Sequence, residues 1–159
     1  MTILLIRHGS AGDPYRWSGD DADRPLDTAG TDQATRLADK VDALLAGRPL
    51  SEVRSSRAIR CLQTVGPTAA RHALLPESDP SLFEGSSSAM TDLVRTRAGA
   101  DDADRRVVVL CSHADVIPDV IRDVVSDGAS LSGGRGCAYA SIWELTVAGG
   151  AIIHARYHQ

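Results

Sequence analysis

Ile3-Leu4-Leu5-Ile6-Arg7-His8-Gly9 is an apolar run that stops abruptly at a cation, an imidazole and a glycine. Its first four residues predict a buried central strand, because a short continuous apolar run ended by a turn is what a strand covered on both faces requires. In open α/β sheets ligands bind beyond the carboxyl ends of the strands, so this strand would deliver Arg7 and His8 to a site. Gly9 would let the backbone turn tightly or a ligand come close. A histidine that merely ends a strand beside a surface arginine fits the same seven residues, and the rest of the chain must decide between the two.

The 159 residues predict a single domain spanning 1–159, long enough to bury roughly 70% of its unfolded surface. Hydrophobic residues make up 43% and charged residues 24%, as in a globular protein, while aromatics at 4% are few. The core must therefore be built from Ala, Val, Leu and Ile. A net charge of −4 argues against a nucleic-acid polymer as partner, which calls for a basic excess. Cys61, Cys111 and Cys137 are odd in number and widely spaced, so neither a disulfide framework nor a metal site is expected. With no apolar run near the ~20 residues of a membrane span and no leader-like start, we expect a cytoplasmic protein without a membrane partner.

Downstream, residues 10–27 lack periodicity and predict a loop, at the edge of the site or as an ordinary connection, the length favouring the former, and it holds Asp13 and Trp17. Asp27 is a good N-cap, and Ala34, Leu37, Ala38, Val41, Leu44 and Leu45 follow at helical spacing, predicting a helix over 28–46. Residues 50–55 predict a strand. It passes into a helix that Ser55 or Ser56 would cap, whose unpaired N–H groups with Arg57 and Arg60 would attract an anion. That helix should run to His72, with Pro67 as a kink point and His72 solvated. Residues 75–88 predict a loop in which Leu82 and Phe83 anchor Glu84 and Gly85.

A helix over 89–98, an acidic surface turn over 99–104 and the strand 107–111 come next. This strand too ends in a polar step, Ser112-His113-Ala114-Asp115. A helix over 116–125, a glycine-rich loop over 128–136 and a hairpin of 138–147 with 151–157 complete the chain. His154 and His158 share a face of the last strand, where packing or exposure is a better reading than metal binding.

Two strand ends thus offer histidines, His8 and His113, and two offer arginines, Arg7 and the Arg57/Arg60 turn. Guanidinium forks with imidazole match the oxygens of a phosphoryl group. Sulfate or a carboxylate would fit more crudely. For a neutral His8 to attack phosphorus with one ring nitrogen, the other should donate to a backbone carbonyl.

Leu5-Ile6-Arg7-His8-Gly9 resembles the Arg-His-Gly signature of the histidine phosphatase superfamily, which includes the phosphoglycerate mutases. The resemblance continues in order through Arg24-Pro25-Leu26 with Gly30 and Gln33-Ala34, through Ser55-Ser56 with Arg60 and Gln63-Thr64, and through Ser112-His113. The short length resembles the SixA-type phosphohistidine phosphatases. Trp17-Ser18-Gly19-Asp20-Asp21 and Ser141-Ile142-Trp143 resemble the phosphatase-like domain fused to some Nudix hydrolases.

The resemblance implies an α/β three-layer sandwich with a mainly parallel central sheet and helices on both faces. It implies a phosphatase needing no metal or cofactor, in which His8 becomes phosphohistidine while Arg7, Arg60 and His113 hold the oxygens. The proton donor would be Glu84, with Asp13 and Asp115 as rivals. Gly9, Arg57, Trp17, Ser112 and Ala114 would contact substrate, Trp17 by stacking on a base. The substrate would be a phosphorylated small molecule, such as a nucleotide, or a phosphohistidine protein. Two residues depart from the pattern, Arg57 where relatives often carry proline and Cys61 where they usually carry alanine. Arg57 reads as an outer substrate contact or a surface charge, Cys61 and Cys111 as small buried residues. The alternative is a phosphate- or phosphoprotein-binding module that has lost turnover, and a mutase is disfavoured by the short chain.

Overall fold

β1 (Thr2–Arg7) has two apolar faces, and each is covered by its own layer of helices. In the computed structural model, which describes residues 1–100 and 105–159, Ile3 and Leu5 face one core while Leu4 and Ile6 face the other. This is the period-two alternation of a strand buried on both sides. All four side chains are fully buried, each contributing about 1.5–3 kcal/mol relative to exposure.

β1 pairs in parallel with β4 (Val107–Ser112) and antiparallel with β6 (Ile142–Ala148). Outside β4 lie β2 (Leu50–Ser55) and the two-residue β3 (Glu77–Ser78); outside β6 lie β7 (Ala151–His158) and β5 (Ser130–Ser132). The sheet order is β3-β2-β4-β1-β6-β7-β5, and among the described residues only β6 runs against the other strands. Helices α1 (Thr28–Leu45) and α2 (Ile59–Arg71) pack Leu37, Val41, Leu45, Val65 and Ala69 onto one face. Helices α3 (Ser87–Ala100) and α4 (Ile117–Ser126) pack Met90, Val94, Val120, Ile121 and Val124 onto the other. The expected mainly parallel sheet with helices on both faces is what the chain forms.

The topology explains where a site can be. From β1 the chain moves by way of α1 to β2, and only later returns to insert β4 between them. Connections leave β1 and β4 in opposite directions, so a crevice opens at their carboxyl ends.

Several local expectations are corrected. α2 begins at Ile59 with Ala58 as N-cap and no side-chain cap, because Ser55 ends β2 and the Ser56 N–H still donates across to the Cys111 carbonyl. Residues 75–88 are not all loop: Glu77 and Ser78 pair with Arg54 and Ser55. The glycine-rich stretch likewise contains β5, and Gly133 just after it sits at φ +76, where a Cβ would meet the Tyr157 carbonyl oxygen at 2.2 Å. Residues 10–27 include two single-turn helices, Pro14–Arg16 and Asp21–Asp23, capped by Asp13 and Asp20. His72 is not merely solvated: its Nε2 lies 2.8 Å from Asp42 Oδ1. His154 sits between the hydroxyls of Ser130 and Ser132, and His158 pairs with Glu144. Of the predicted acidic turn, Gly99 and Ala100 complete α3, and 101–104 lie outside the described residues. Among the described residues no helix is long and apolar enough to cross a membrane.

Gly30 and Gly66 both lie in helices yet differ in their surroundings. A Cβ on Gly30 would fall 1.9 Å from the Ser10 carbonyl oxygen, whereas one on Gly66 meets nothing within 4 Å. Gly30→Ala is therefore expected to lower unfolding free energy by about 1–3 kcal/mol through overpacking, and Gly66→Ala to raise it by about 0.5–1 kcal/mol. Urea titration of both variants checks the opposite signs.

Candidate active site

Strand register brings the two predicted histidines together. Arg7 stands opposite Ser112 in the β1–β4 pair, so His8 and His113 leave neighbouring strand ends side by side. The His8 N–H donates to the Ser112 carbonyl at 3.1 Å, and the imidazole rings meet edge to face with centroids 5.2 Å apart. His8 Nδ1 lies 2.7 Å from the Gly9 carbonyl oxygen. A carbonyl can only accept, so Nδ1 carries the proton, and Nε2 of the neutral ring keeps its lone pair. That is the tautomer a nucleophilic imidazole needs.

A short side-chain scaffold holds this turn. Thr64 Oγ1 on α2 accepts from the Gly9 N–H at 2.9 Å and donates to the Arg60 carbonyl at 2.6 Å. Gln33 Oε1 accepts from Ser10 N–H, and Asp27 accepts from Ser10 Oγ, Gly12 N–H and Gly30 N–H. The start of α1 is thereby tied to the turn after β1.

Arg60 is completely buried. Its Nη1 donates to the Asp21 carbonyl at 2.6 Å, and its Nη2 meets Asp21 Oδ2 at 2.9 Å and Glu84 Oε1 at 2.5 Å. The same Glu84 oxygen lies 3.3 Å from His113 Nδ1, at an angle too poor for a hydrogen bond. His113 Nε2 is fixed by Ser56 Oγ at 2.8 Å, with Cys61 Sγ at 3.6 Å. Arg7 donates Nη1 to the Cys137 carbonyl at 2.6 Å and lies over the Tyr139 ring, 3.9 Å from its centroid. Five buried side-chain polar atoms among the described residues lack a partner, and three of them are Arg7 Nε, Arg60 Nε and His113 Nδ1.

Burial pushes the His8 imidazole down from 6.5 to about 3, and the charges of His113, Arg60 and Arg7 add to this against the Gly9 hydrogen bond. The ring stays neutral through the physiological range. Both expected buried thiols are indeed buried. Burial works to raise Cys61, but its contacts with Cys111 and His113 and the Arg60 charge bring it below an ordinary thiol. Burial and Cys61 together push Cys111 well above.

A neutral imidazole ringed by cations at the ends of two parallel strands is the setting in which the Arg-His-Gly sequence was read. The family description of the histidine phosphatase superfamily, branch 1, matches residues 3–106. This chain belongs to the histidine phosphatase superfamily. It is 30% identical over 156 residues to an 8-oxo-(d)GTP phosphatase of Mycolicibacterium smegmatis, covering 98% of this chain and 47% of that protein. The chain thus spans about half the length of that relative.

Among solved structures it resembles the protein histidine phosphatase SixA complexed with tungstate, at TM-score 0.74 and 19% identity over 100% of this chain and 95% of that one. It resembles a protein of Nakamurella multipartitia whose structure carries the name "Putative Phosphohistidine Phosphatase SixA", at TM-score 0.71 and 24% identity over 99% and 93%. A mycobacterial glucosyl-3-phosphoglycerate phosphatase with VO3 gives TM-score 0.69 and 20% identity over 99% and 97%. These likenesses establish the fold.

Within this member of the superfamily, Arg7, His8, Arg60, Glu84 and His113 form one cluster, and the other predicted residues are placed differently. Arg57 is exposed and lies over the Phe83 ring, which meets His113 edge to face, so it stands at the rim. Gly9 is pressed against α1: a Cβ there would approach the Gly30 carbonyl at 3.1 Å. Ser112 Oγ donates to the Leu82 carbonyl inside the protein, leaving only its backbone to the site. Ala114 is exposed.

Trp17 donates its indole N–H to the Asp20 carbonyl and lines a separate hollow with Asp13 and Arg24. Asp13 caps a helical turn, and Asp115 accepts from the Gly85 N–H at 2.8 Å, beside Glu84 rather than in its place. Sequence reasoning missed the part played by Ser56, Asp21 and Tyr139. Ser56 could have been found from β2 running parallel to β4, but Asp21 and Tyr139 reach the cluster from irregular segments.

Because His8 is depressed in the folded state, the unfolded chain holds a proton between about pH 6.5 and 3 that the folded chain lacks. Its stabilising contribution is intact above 6.5 and is lost as pH falls through that window, by up to about 1.4 kcal/mol per pH unit. Guanidinium unfolding at pH 7, 5.5 and 4.5 should show a steeper acid-side loss for wild type than for His8→Ala, by up to one proton. Equal slopes would mean that the folded protein protonates His8.

Proposed function

We propose that this chain is a phosphatase that transfers a phosphoryl group to His8 and hydrolyses the phosphohistidine, with a small phosphomonoester as substrate. The observation that carries the reading is the trio of unpartnered buried donors, Arg7 Nε, Arg60 Nε and His113 Nδ1, on the side chains around the neutral His8. An unpaired buried donor costs about 1–3 kcal/mol, and a phosphoryl group's oxygens would satisfy all three. Such donors act most strongly on charge that develops in the transition state.

In the forward step the Nε2 lone pair forms the N–P bond as the bond to the leaving oxygen breaks. Glu84 gives its proton to that oxygen. Water then attacks phosphorus, Glu84 takes a proton from it, the N–P bond breaks and inorganic phosphate leaves with His8 restored. Nδ1 keeps its proton on the Gly9 carbonyl throughout. Ser56 Oγ, donating to Nε2 of His113, leaves the proton on Nδ1 for the phosphoryl group.

In the structure Glu84 Oε1 occupies the space between Arg60 Nη2 and His113 Nδ1, a carboxylate oxygen standing where a phosphoryl oxygen would lie. Glu84 is exposed and Arg60 is fully buried, so the carboxylate can swing out while the guanidinium stays. An arriving oxyanion takes the carboxylate's cationic partner and sets a like charge beside it, which drives Glu84 away from Arg60 and towards the leaving oxygen.

The small-molecule assignment rests on the Mycolicibacterium relative, whose name states action on 8-oxo-(d)GTP, and on the exposed Arg57, whose charge at the rim suits a further anionic group. Protein phosphohistidine is the second reading, supported by the full-length likeness to SixA.

Phosphate release should be measured with chelator present on p-nitrophenyl phosphate, nucleoside mono- and diphosphates, sugar phosphates and a phosphohistidine protein. Wild type should turn over at least one and form an acid-labile phosphoenzyme; His8→Ala should do neither. Labelling that persists in His8→Ala removes His8 as nucleophile, and binding without turnover in wild type favours the binding-module alternative. Glu84→Gln should slow alkyl phosphates at least about tenfold more than p-nitrophenyl phosphate, within the 10²–10⁴-fold that positioned acids supply. Equal slowing of both would shift the proton-donor role away from Glu84.

A further inference from the structure

Behind the segment that clamps Arg7 lies a second cavity, of about 580 Å³, between α4 and the β5–β6 side of the sheet. Its size falls in the roughly 300–1,000 Å³ range of small-molecule sites. None of Arg7, His8, Arg60, Glu84 and His113 lines it. The walls are apolar, from Ile121 and Val125 of α4, Leu131 of β5 and Trp143 of β6.

The polar groups on its inner side are already paired. Trp143 Nε1 donates to the Gly136 carbonyl at 2.9 Å, and Tyr157 Oη beside it accepts from the Ala138 N–H at 3.1 Å. At the rim, Arg122 is held by Asp119 and Asp123. Arg135 is exposed and makes no hydrogen bond or ion pair among the described residues. An apolar interior under one unpaired cation is complementary to a small organic anion with a flat or aliphatic body.

The segment Gly136–Ala140 has this cavity on one side and Arg7 on the other. Gly136 and Cys137 line the cavity. The Cys137 carbonyl accepts from Arg7 Nη1, Tyr139 lies beneath the Arg7 guanidinium with its ring 5.9 Å from that of His8, and Ala140 N–H donates to the Arg7 carbonyl at 3.1 Å. A ligand that shifts the Cys137 backbone shifts the acceptor of Arg7 Nη1.

We propose that this cavity is a regulatory site for a small organic anion with an apolar body, whose occupancy is transmitted to Arg7 through the Cys137 carbonyl. The transmission half rests on the reading that Arg7 holds the phosphoryl group; the binding half does not.

The probe is 8-anilinonaphthalene-1-sulfonate, an aromatic body with one anionic head. Calorimetry on the whole chain should give one saturable site. Arg135→Gln should weaken it by up to about fivefold, the upper end of what an exposed ion pair supplies, and Val125→Trp, which fills the cavity, should abolish it. Inorganic phosphate should not compete, but its own dissociation constant should change at least about twofold with the probe bound in wild type and not in Val125→Trp.

Probe binding indifferent to both variants, or competitive with phosphate, would overturn the site. Binding as expected with phosphate affinity unchanged would overturn the coupling. Arg135→Gln is a surface change that keeps the test informative if Val125→Trp fails to fold. Because both readouts are binding, a protein that binds phosphate without hydrolysing it would refute the phosphatase reading and leave this one standing.

Discussion

A guanidinium withdrawn entirely from water is the constraint on which this site depends. Arg60 is fixed by its position on the first turn of α2 and by the Asp21 carbonyl, and its charge must be met by oxygens wherever they come from. A buried charge left without a counter-charge is strongly unfavourable, so the surroundings must keep some anion there. Asp21 and Glu84 fill that need from loops at the mouth, both with side chains more than 40% exposed. The cation is immobile and its carboxylates are exchangeable. The same positive charge helps keep His8 neutral, although burial is the larger cause. On the reading proposed here, one buried residue serves both the phosphoryl oxygens and the lone pair of His8.

Much of this was legible because it depends on strand ends. An apolar run that stops at Arg7-His8-Gly9, and another that stops at Ser112-His113, mark two carboxyl ends of buried strands, and parallel pairing does the rest. Asp27 capping α1 was legible for the same local reason: a side-chain oxygen three residues ahead of an N–H needs no tertiary information. β3 and β5 were not legible, since strands of two and three residues have no periodicity to detect and are created by the edge they join. Ser55 and Ser56 have the chemistry of helix caps, but Ser55 ends β2, Ser56 donates its N–H to Cys111 of β4, and their hydroxyls go to the Ser56 carbonyl and to His113. Tertiary placement overrode local preference there.

Tyr139 and Asp21 were missed because contacts across the crevice are set by loops. Tyr139 follows the Gly-rich stretch, where Gly133 and Gly136 let the loop press on Tyr157, and lies against Arg7 from there. Trp17 shows the opposite failure. An indole in a loop near the site suggests stacking, but its N–H closes a local turn on Asp20, and the exposed aromatic beside His8 is Tyr139 instead.

The chain carries a net charge of −4, so long-range attraction cannot gather a phosphorylated substrate, and the local field must do it. On the reading proposed here, the site answers this with an exchange of anions rather than a charged opening. A carboxylate already rests on Arg60, and only an oxyanion able to contact Arg60, His113 and Arg7 together gains enough to displace it. A lone carboxylate ligand would replace Glu84 with its like and leave donors unsatisfied. A phosphoryl group satisfies three donors at once and drives Glu84 towards the leaving oxygen in the same event. Selection of the ligand and delivery of the acid would then be one displacement, and the position of Glu84 in the structure is its starting point.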